Sequence, residues 1–260
     1  VGFDSALTLT GPTGENPASF GLANTIAGIT PGTSEAIIDR PEGWVVLDLS
    51  TGMAGAVATM FLCDNGASVI RVVQDAGQVL RADPGYALWD RGKKAVTIDD
   101  AVQEDTFSRL AATIDVVVDD LPPGSEGKAA TLIGQLTSSS QQLIHCSITA
   151  YGVKGPLAHE PAQHDLVMAR TGMLSGQPGF RDGPVHVVHP VASLGAGLLA
   201  ALGITAALLQ LERTGTGTRV DTSLMAGALL YAADRMAGPE DRASGAVNRR
   251  SYISVVSDSE

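Results

Sequence analysis

Residues 44–73 read WVVLDLSTGMAGAVATMFLCDNGASVIRVV, and this stretch decides the fold. An apolar run, Val45–Leu49, leads through a turn of small residues into a helical run and then into a second apolar run, Val69–Val73. This order predicts a strand, a turn, a helix and a second strand. In such a unit the turn lets a ligand approach the backbone, and the N-terminus of the helix favours an anion.

Strand-like and helix-like runs continue to alternate along the chain. The strand-like runs are Val45–Leu49, Val69–Val73, Ala95–Ile98, Val116–Val118 and Leu143–Ile148, and the helix-like runs between them are Gly52–Cys63, Val102–Ala112 and Lys128–Leu136. This alternation predicts an α/β fold with a Rossmann-like, open and mostly parallel sheet that carries helices on both faces. Two longer helical runs, Ser193–Arg213 and Asp221–Met236, follow and are joined by a Gly-rich turn.

Three regions of different composition predict the domain organisation. Residues 1–43 are rich in Gly, Thr, Ser, Pro and Asn and are expected to form an irregular N-terminal segment or linker. Residues 44–240 carry the alternating pattern and form the Rossmann-like domain. Residues 241–260 are expected to be a tail that leads toward another domain.

The composition limits the classes of partner. Of the 260 residues 44% are hydrophobic and 17% are charged, which suits a buried α/β core. The formal net charge of −11 argues against nucleic acid, because phosphate binding needs a basic field. The most apolar stretch, residues 194–211, is interpreted as a buried helix and not as a membrane span. With no signal peptide in view, a cytoplasmic location is expected.

Six segments resemble, in order and spacing, those of the class III CoA-transferases, a family that includes formyl-CoA transferase, carnitine CoA-transferase and α-methylacyl-CoA racemase. The segments are LDLSTGMAG (47–55), LCDNGASVIRV (62–72), DRGKKAVTIDD (90–100), IDVVVDDLPPG (114–124), LIHCSITAYGVKGP (143–156) and LGAGLLAALGITAALLQLERTGTGTRVDTSL (194–224). The resemblance implies the large domain of that fold. It also implies a second, smaller domain, near whose start this sequence ends, and two chains that interlock as a homodimer or as a heteromer with a related chain.

The resemblance implies coenzyme A as substrate or ligand, and acyl-CoA as the partner molecule. The positions that would contact it are Met53, Ala54, Arg71, Gln74, Lys93, Leu121, Lys128 and Thr149. The basic residues among them could meet phosphate oxygens, although the alternative, ordinary solvated surface charge, stays open. At Pro122 the chain departs from an arginine that is frequent in the family.

The resemblance also assigns three catalytic candidates, Ser193, His164 and Asp165. Transferases of the family use an aspartate at the position of Ser193, whose carboxylate attacks the thioester to form a mixed anhydride. A hydroxyl cannot form that anhydride, so Ser193 is either a residue that needs a base or the N-cap of the long helix. His164 resembles the histidine of the racemases, and Asp165 could orient its imidazole, cap a helix or supply the missing carboxylate.

Three functions therefore remain open. The chain could be an enzyme that transfers CoA between carboxylic acids, a catalytically inactive half that supports an active partner, or a racemase-like enzyme with His164 as base. All five histidines lie between residues 145 and 189, but their spacing does not match metal-ligand patterns, so no metal is expected.

Overall fold

The structure is a computed structural model that describes residues 43–73, 88–97, 112–174 and 184–232. Within these residues six strands form one sheet in which every neighbouring pair is parallel. The strands are β1 (Val45–Asp48), β2 (Ser68–Val73), β3 (Lys94–Thr97), β4 (Val116–Asp119), β5 (Ile144–Thr149) and β6 (Arg219–Ser223), in the spatial order β3-β2-β1-β4-β5-β6. This is the doubly wound order of Rossmann folds, so the predicted fold class is confirmed.

Five helices accompany the sheet in the described residues. They are α1 (Met53–Asp64), α2 (Lys128–Ser139), α3 (His164–Arg170), α4 (Val191–Thr214) and α5 (Leu224–Tyr231). Helices α1, α3, α4 and α5 share a hydrophobic core with one face of the sheet, and α2 packs on the other face. Helices therefore cover both faces, as the apolar strand sequences predicted.

Alternation along the strands explains the two cores. Val46, Val116 and Val118 belong to the core beneath α1 and α4, whereas Leu47 and Val117 belong to the core beneath α2. All five are fully buried. Successive side chains of a strand point to opposite faces, so a strand buried on both faces must be apolar at every position.

Glycines bring α4 close to its neighbours. A Cβ atom at Gly197 would lie 2.8 Å from the Ala54 carbonyl oxygen of α1, and one at Gly195 would lie 2.6 Å from the Gly227 carbonyl oxygen of α5. Both separations are too short for any side chain. The Leu-Gly-Ala-Gly sequence at the start of α4 therefore sets the packing of this helix against α1 and α5.

Two expectations about the C-terminal elements were wrong. Residues 219–223 form strand β6, which pairs with β5, instead of starting a helix at Asp221. The Ser223 hydroxyl then caps α5 by accepting a hydrogen bond from the Ala226 N–H at 3.0 Å. The helix predicted from Ser193 begins two residues earlier, at Val191, and its N-cap is Pro190, so Ser193 does not cap it.

Helix α4 is also long and apolar enough to cross a membrane by length and composition, and it is the one such helix in the described residues. Half of its most apolar window is buried inside the fold. The core helix of a globular domain passes the same test, and the burial agrees with the interpretation of residues 194–211 as a packed helix. The expected helix at Val102–Ala112, the segment 1–43 and the tail 241–260 lie almost entirely outside the described residues.

Candidate active site

The carboxyl ends of β1, β4 and β5 meet at one edge of the sheet. The strand order reverses between β1 and β4, since β2 and β3 lie on one side of this pair and β5 and β6 on the other. In open α/β sheets the crevice at such a switch point is where ligands bind. The candidate ligand site is therefore bordered by the segments that follow these strands, which begin at Leu49, Asp120 and Ala150.

A carboxylate of the chain itself occupies the N-terminus of α1. Oδ2 of Asp120 accepts hydrogen bonds from the Gly52 N–H at 2.6 Å and from the Thr51 N–H at 2.9 Å. Burial raises the pKa of Asp120 above its ordinary value, although these backbone hydrogen bonds oppose the rise. Two N–H groups of the turn that leads into α1 are thus already bonded to a side chain of the protein.

A network of four charged side chains, of which Asp48 and Lys93 are buried, lies next to this turn. Oδ2 of Asp48 accepts hydrogen bonds from the Thr59 hydroxyl at 2.6 Å and from Nζ of Lys93 at 3.2 Å. Nζ of Lys93 also lies 3.2 Å from Oδ1 of Asp90, which accepts a hydrogen bond from Nη1 of Arg71 at 2.7 Å. Burial opposes ionisation of Asp48, but Lys93 and Arg71, together with hydrogen bonds from Ser50 and Thr59, hold the pKa of Asp48 below its ordinary value.

Two of the expected CoA contacts, Lys93 and Arg71, belong to this network. The side chain of Lys93 is 1% exposed, and its ammonium also donates to the Ala56 carbonyl oxygen of α1 at 2.9 Å. Arg71 is 14% exposed and is paired with Asp90. Both cations are compensated by carboxylates of the protein. Lys93 joins α1 to β1, and Arg71 joins β2 to Asp90.

Most of the other expected CoA contacts lie nearer the carboxyl edge of the sheet. Met53 and Ala54 begin α1, Leu121 follows β4, and Thr149 ends β5. Thr149 is buried, and its hydroxyl accepts a hydrogen bond from the Gly152 N–H at 2.9 Å. Lys128 is the exposed first residue of α2. Gln74 lies outside the described residues.

The two strongest catalytic candidates contact each other. Nδ1 of His164, the first residue of α3, lies 3.1 Å from the Ser193 hydroxyl in the first turn of α4. Ser193 is 6% exposed, and Nε2 of His164 is buried with no hydrogen-bond partner among the described residues. Burial lowers the pKa of His164, an effect that Asp165 opposes and His186 reinforces. The imidazole is therefore neutral at pH 7 and can accept a proton.

The third catalytic candidate, Asp165, is not hydrogen-bonded to Ser193 or His164. Asp165 is 67% exposed, and its Oδ1 lies 3.7 Å from Nδ1 of His186, which is exposed as well. No carboxylate of the described residues hydrogen-bonds Ser193 or His164. His189, four residues before Ser193, is exposed, and its side chain has no hydrogen bond to Ser193.

The start of α4 offers two donors next to this pair. The Leu194 N–H donates the first hydrogen bond of the helix to the Pro190 carbonyl oxygen at 2.9 Å. The Val191 N–H donates to the backbone carbonyl oxygen of His189 at 2.8 Å. The N–H groups of Ala192 and Ser193 have no acceptor within the described part of the chain. Both residues are buried. Unpaired N–H groups in the first turn of a helix are the type of donor that stabilises a developing negative charge.

Sequence reasoning named His164 and Ser193 separately and missed their contact. The two residues are 29 positions apart and meet because α3 and α4 pack on the same face of the sheet. It also missed Asp120 as the partner of the α1 N-terminus. A signal for Asp120 was present, because the residues that directly follow neighbouring parallel strands lie at the same edge of the sheet. In the described residues no three His, Cys, Asp or Glu side chains are grouped so as to hold a metal ion.

Comparison with known proteins identifies the family to which the chain belongs. A sequence profile of CoA-transferase family III matches residues 42–255. The chain therefore belongs to CoA-transferase family III, and the resemblance found in its sequence is confirmed.

Similar proteins include several transferases. The probable fatty acyl-CoA transferase Rv3272 of Mycobacterium tuberculosis is 33% identical over 196 residues, which are 70% of this chain and 50% of that protein. Succinyl-CoA:glutarate CoA-transferase of Mus musculus is 35% identical over 197 residues, 71% of this chain and 45% of its own. The chain spans about half the length of these curated relatives.

Solved structures agree with the family. The crystal structure of Rv3272 superposes with a TM-score of 0.65 at 32% identity and covers 75% of this chain and 58% of that one. A CAIB/BAIF family protein from Brucella suis superposes with a TM-score of 0.62 at 28% identity, over 76% of this chain and 57% of that one. The described sheet is thus the sheet of this family.

Proposed function

We propose that this chain binds an acyl-CoA thioester at the carboxyl edge of its sheet and supplies this site to an enzyme that transfers CoA between carboxylic acids. Family membership supports the ligand class, because the chain belongs to CoA-transferase family III and the mouse relative is named succinyl-CoA:glutarate CoA-transferase. The switch point between β1 and β4 supports the location, since this is the crevice where sheets of this type take their ligands.

The contact between Ser193 and His164 carries the proposal. It lies where the resemblance puts the acylated aspartate, and it holds a hydroxyl bonded to an imidazole at 3.1 Å. CoA transfer through a mixed anhydride needs a carboxylate at this point. We propose that a related partner chain provides this carboxylate, in an interlocked assembly. One relative, 29% identical over 234 residues, is named the alpha subunit of the succinyl-CoA–L-malate CoA-transferase of Chloroflexus aurantiacus, which supports a subunit role.

Lys128 is the proposed contact for a CoA phosphate. It is exposed at the start of α2, on the segment that leads away from the carboxyl end of β4. Lys94 is the matched control, because it is also exposed but begins β3 at the opposite, amino edge of the sheet. A single charge-assisted hydrogen bond contributes about 1.5–3 kcal/mol, or about tenfold or more in affinity.

Titration calorimetry with CoA tests the binding. We expect CoA to bind the wild-type chain, Lys128→Gln to weaken binding about tenfold, and Lys94→Gln to leave it unchanged. No binding to the wild-type chain would contradict the proposal, and equal effects of the two substitutions would contradict the location.

Substitution of Ser193 tests the position of the thioester. In Ser193→Asp a carboxylate replaces the hydroxyl, and we expect acetyl-CoA to leave an acyl group on this variant that neutral hydroxylamine removes. The matched variant Ser193→Asn has nearly the same shape without the charge and should gain no acyl group. A Ser193→Asp protein that binds acetyl-CoA and is never acylated would show that the thioester lies elsewhere.

A further inference from the structure

The Ser193–His164 contact joins the components of a nucleophile and its base. A serine hydroxyl is a weak nucleophile until a neighbouring base removes its proton, and the two groups must then be within hydrogen-bond reach. The Ser193 hydroxyl and Nδ1 of His164 are 3.1 Å apart. Burial keeps the pKa of this imidazole low, so the ring is in the neutral form that accepts a proton.

The polar groups around the Ser193–His164 pair also fit attack on a thioester. Attack on a thioester places a negative charge on the carbonyl oxygen, and backbone N–H donors stabilise this oxyanion. The Ala192 and Ser193 N–H groups are without acceptors in the described residues and belong to the same helical turn as the hydroxyl. Nε2 of His164 is buried and unpartnered among these residues. A buried polar atom without a partner is costly, and at an enzyme site it marks a position that a substrate can satisfy.

We propose that Ser193 and His164 form a catalytic dyad that hydrolyses acyl-CoA through an ester on Ser193. This inference rests on the proposed acyl-CoA site and goes beyond CoA transfer, because it assigns the chain a reaction that needs no second carboxylic acid. The hydroxyl takes the place of the family's carboxylate and changes the fate of the acyl group.

The first step acylates the serine. Oγ of Ser193 attacks the thioester carbonyl carbon, and its proton passes to Nδ1 of His164. The carbon–sulfur bond then breaks, and the proton on His164 passes to the CoA sulfur. The products of this step are the Ser193 ester and CoA as a free thiol.

The second step releases the acid. Water attacks the ester carbonyl carbon and gives its proton to Nδ1 of His164. The bond from the carbonyl carbon to Oγ breaks, and the proton returns to the serine. The sum is acyl-CoA plus water giving a carboxylate, a proton and CoA. An oxygen ester is a weaker acyl donor than a thioester or an anhydride, so return of the acyl group to CoA is disfavoured and water completes the cycle.

Acetyl-CoA and succinyl-CoA are the probes of this reaction. The purified chain is mixed with each, thiol release is followed with a thiol-reactive dye, and the intact mass is measured after an acid quench. We expect thiol release and a one-acyl mass increase that maps to Ser193, resists neutral hydroxylamine and is removed by alkaline hydroxylamine. Ser193→Ala should abolish both signals, and His164→Asn should slow thiol release about 10²-fold or more, as the loss of a general base does.

Control variants separate the dyad from its neighbours. His189→Gln changes an exposed histidine four residues before Ser193, and Ser138→Ala removes an exposed hydroxyl of α2 on the opposite face of the sheet. Both should hydrolyse acetyl-CoA at the wild-type rate. Hydrolysis by the wild type should also fall on the acid side of neutrality, because protonated His164 cannot act as base.

Binding measured in parallel distinguishes the two proposals. If CoA binds and neither thiol release nor a serine adduct is seen, the dyad is overturned and the acyl-CoA site stands. Hydrolysis that persists in Ser193→Ala overturns the dyad as well. If acetyl-CoA and succinyl-CoA do not bind at all, both proposals fall.

Discussion

Nζ of Lys93 lies 3.2 Å from Oδ2 of Asp48 in the interior of the domain, where both side chains are almost fully buried. The ammonium also holds the Ala56 carbonyl oxygen of α1, and so joins the first strand to the first helix. The family resemblance implied a ligand contact for Lys93. The buried pair shows a structural role for Lys93 at the base of the turn that borders the proposed CoA site, and the ligand contact stays a prediction.

Loss of one partner of this pair should strongly destabilise the domain. Lys93→Met removes the ammonium that lies 3.2 Å from the buried Asp48 carboxylate and leaves only the more distant Arg71 to compensate it. We expect the free energy of unfolding to fall by about 3 kcal/mol. Urea unfolding followed by circular dichroism measures this change. Lys94→Met, one residue away and exposed, should change it by less than about 0.5 kcal/mol. Similar losses in the two variants would contradict the buried role.

The same pair predicts acid sensitivity. The pKa of Asp48 is lower in the folded chain than its ordinary 3.8, so ionised Asp48 stabilises the fold above pH 3.8 and this contribution is lost as the pH falls further. In the double variant Asp48→Asn, Lys93→Met this part of the pH dependence should disappear. Asp120, whose pKa is raised, contributes with the opposite sign in both proteins. Unfolding free energies measured between pH 2.5 and 5 compare the two, and parallel curves would contradict the assignment.

The close packing of α4 against α1 predicts that a methyl group added at Gly197 lowers the stability of the domain. A Cβ at Gly197 would meet the Ala54 carbonyl oxygen at 2.8 Å, so Gly197→Ala should destabilise the domain by about 1–3 kcal/mol. Gly134, within α2, has nothing within 4 Å of such a Cβ. Gly134→Ala should stabilise the domain by about 0.5–1 kcal/mol, because alanine is the better helix former. Thermal unfolding of both variants tests this contrast, which fails if both change stability in the same direction.

The carboxylate at the N-terminus of α1 predicts a change in ligand affinity. Asp120→Asn removes a negative charge beside the proposed path of an anionic ligand and keeps an oxygen that can accept from the Gly52 N–H. We expect CoA to bind about fivefold more tightly, equivalent to about 1 kcal/mol of relieved repulsion. The gain should shrink in high salt. Calorimetry at two salt concentrations measures it, and weaker binding by Asp120→Asn would contradict the repulsion.

The sheet could be predicted because its signals are local. Each central strand is a short apolar run buried on both faces, and each run is followed by a turn or helix signal. Strand β6 was missed because Arg219, Asp221 and neighbouring polar residues alternate with half-buried ones at the sheet edge, where fewer positions need to be apolar. The same residues lead straight into α5, which made the whole stretch resemble one helix.

The site was predictable in its parts and not in its arrangement. The resemblance located Ser193 and His164, but their contact depends on how α3 and α4 pack, which no local pattern records. The partners of Arg71 and Lys93 were also hidden. A basic residue in a segment associated with CoA suggests a phosphate contact, and only the fold reveals the carboxylates of Asp48 and Asp90 beside it.

The central claim is that an acyl-CoA thioester meets the Ser193 hydroxyl at the carboxyl edge of this sheet. A crystal structure of the His164→Asn variant with acetyl-CoA bound tests it most directly, since this substitution keeps the hydroxyl and slows its reaction. We expect the thioester carbonyl carbon within about 3.5 Å of the Ser193 Oγ, the separation of a reactive complex, or the acetyl group already on that oxygen. Acetyl-CoA bound with its thioester away from Ser193 would contradict the account.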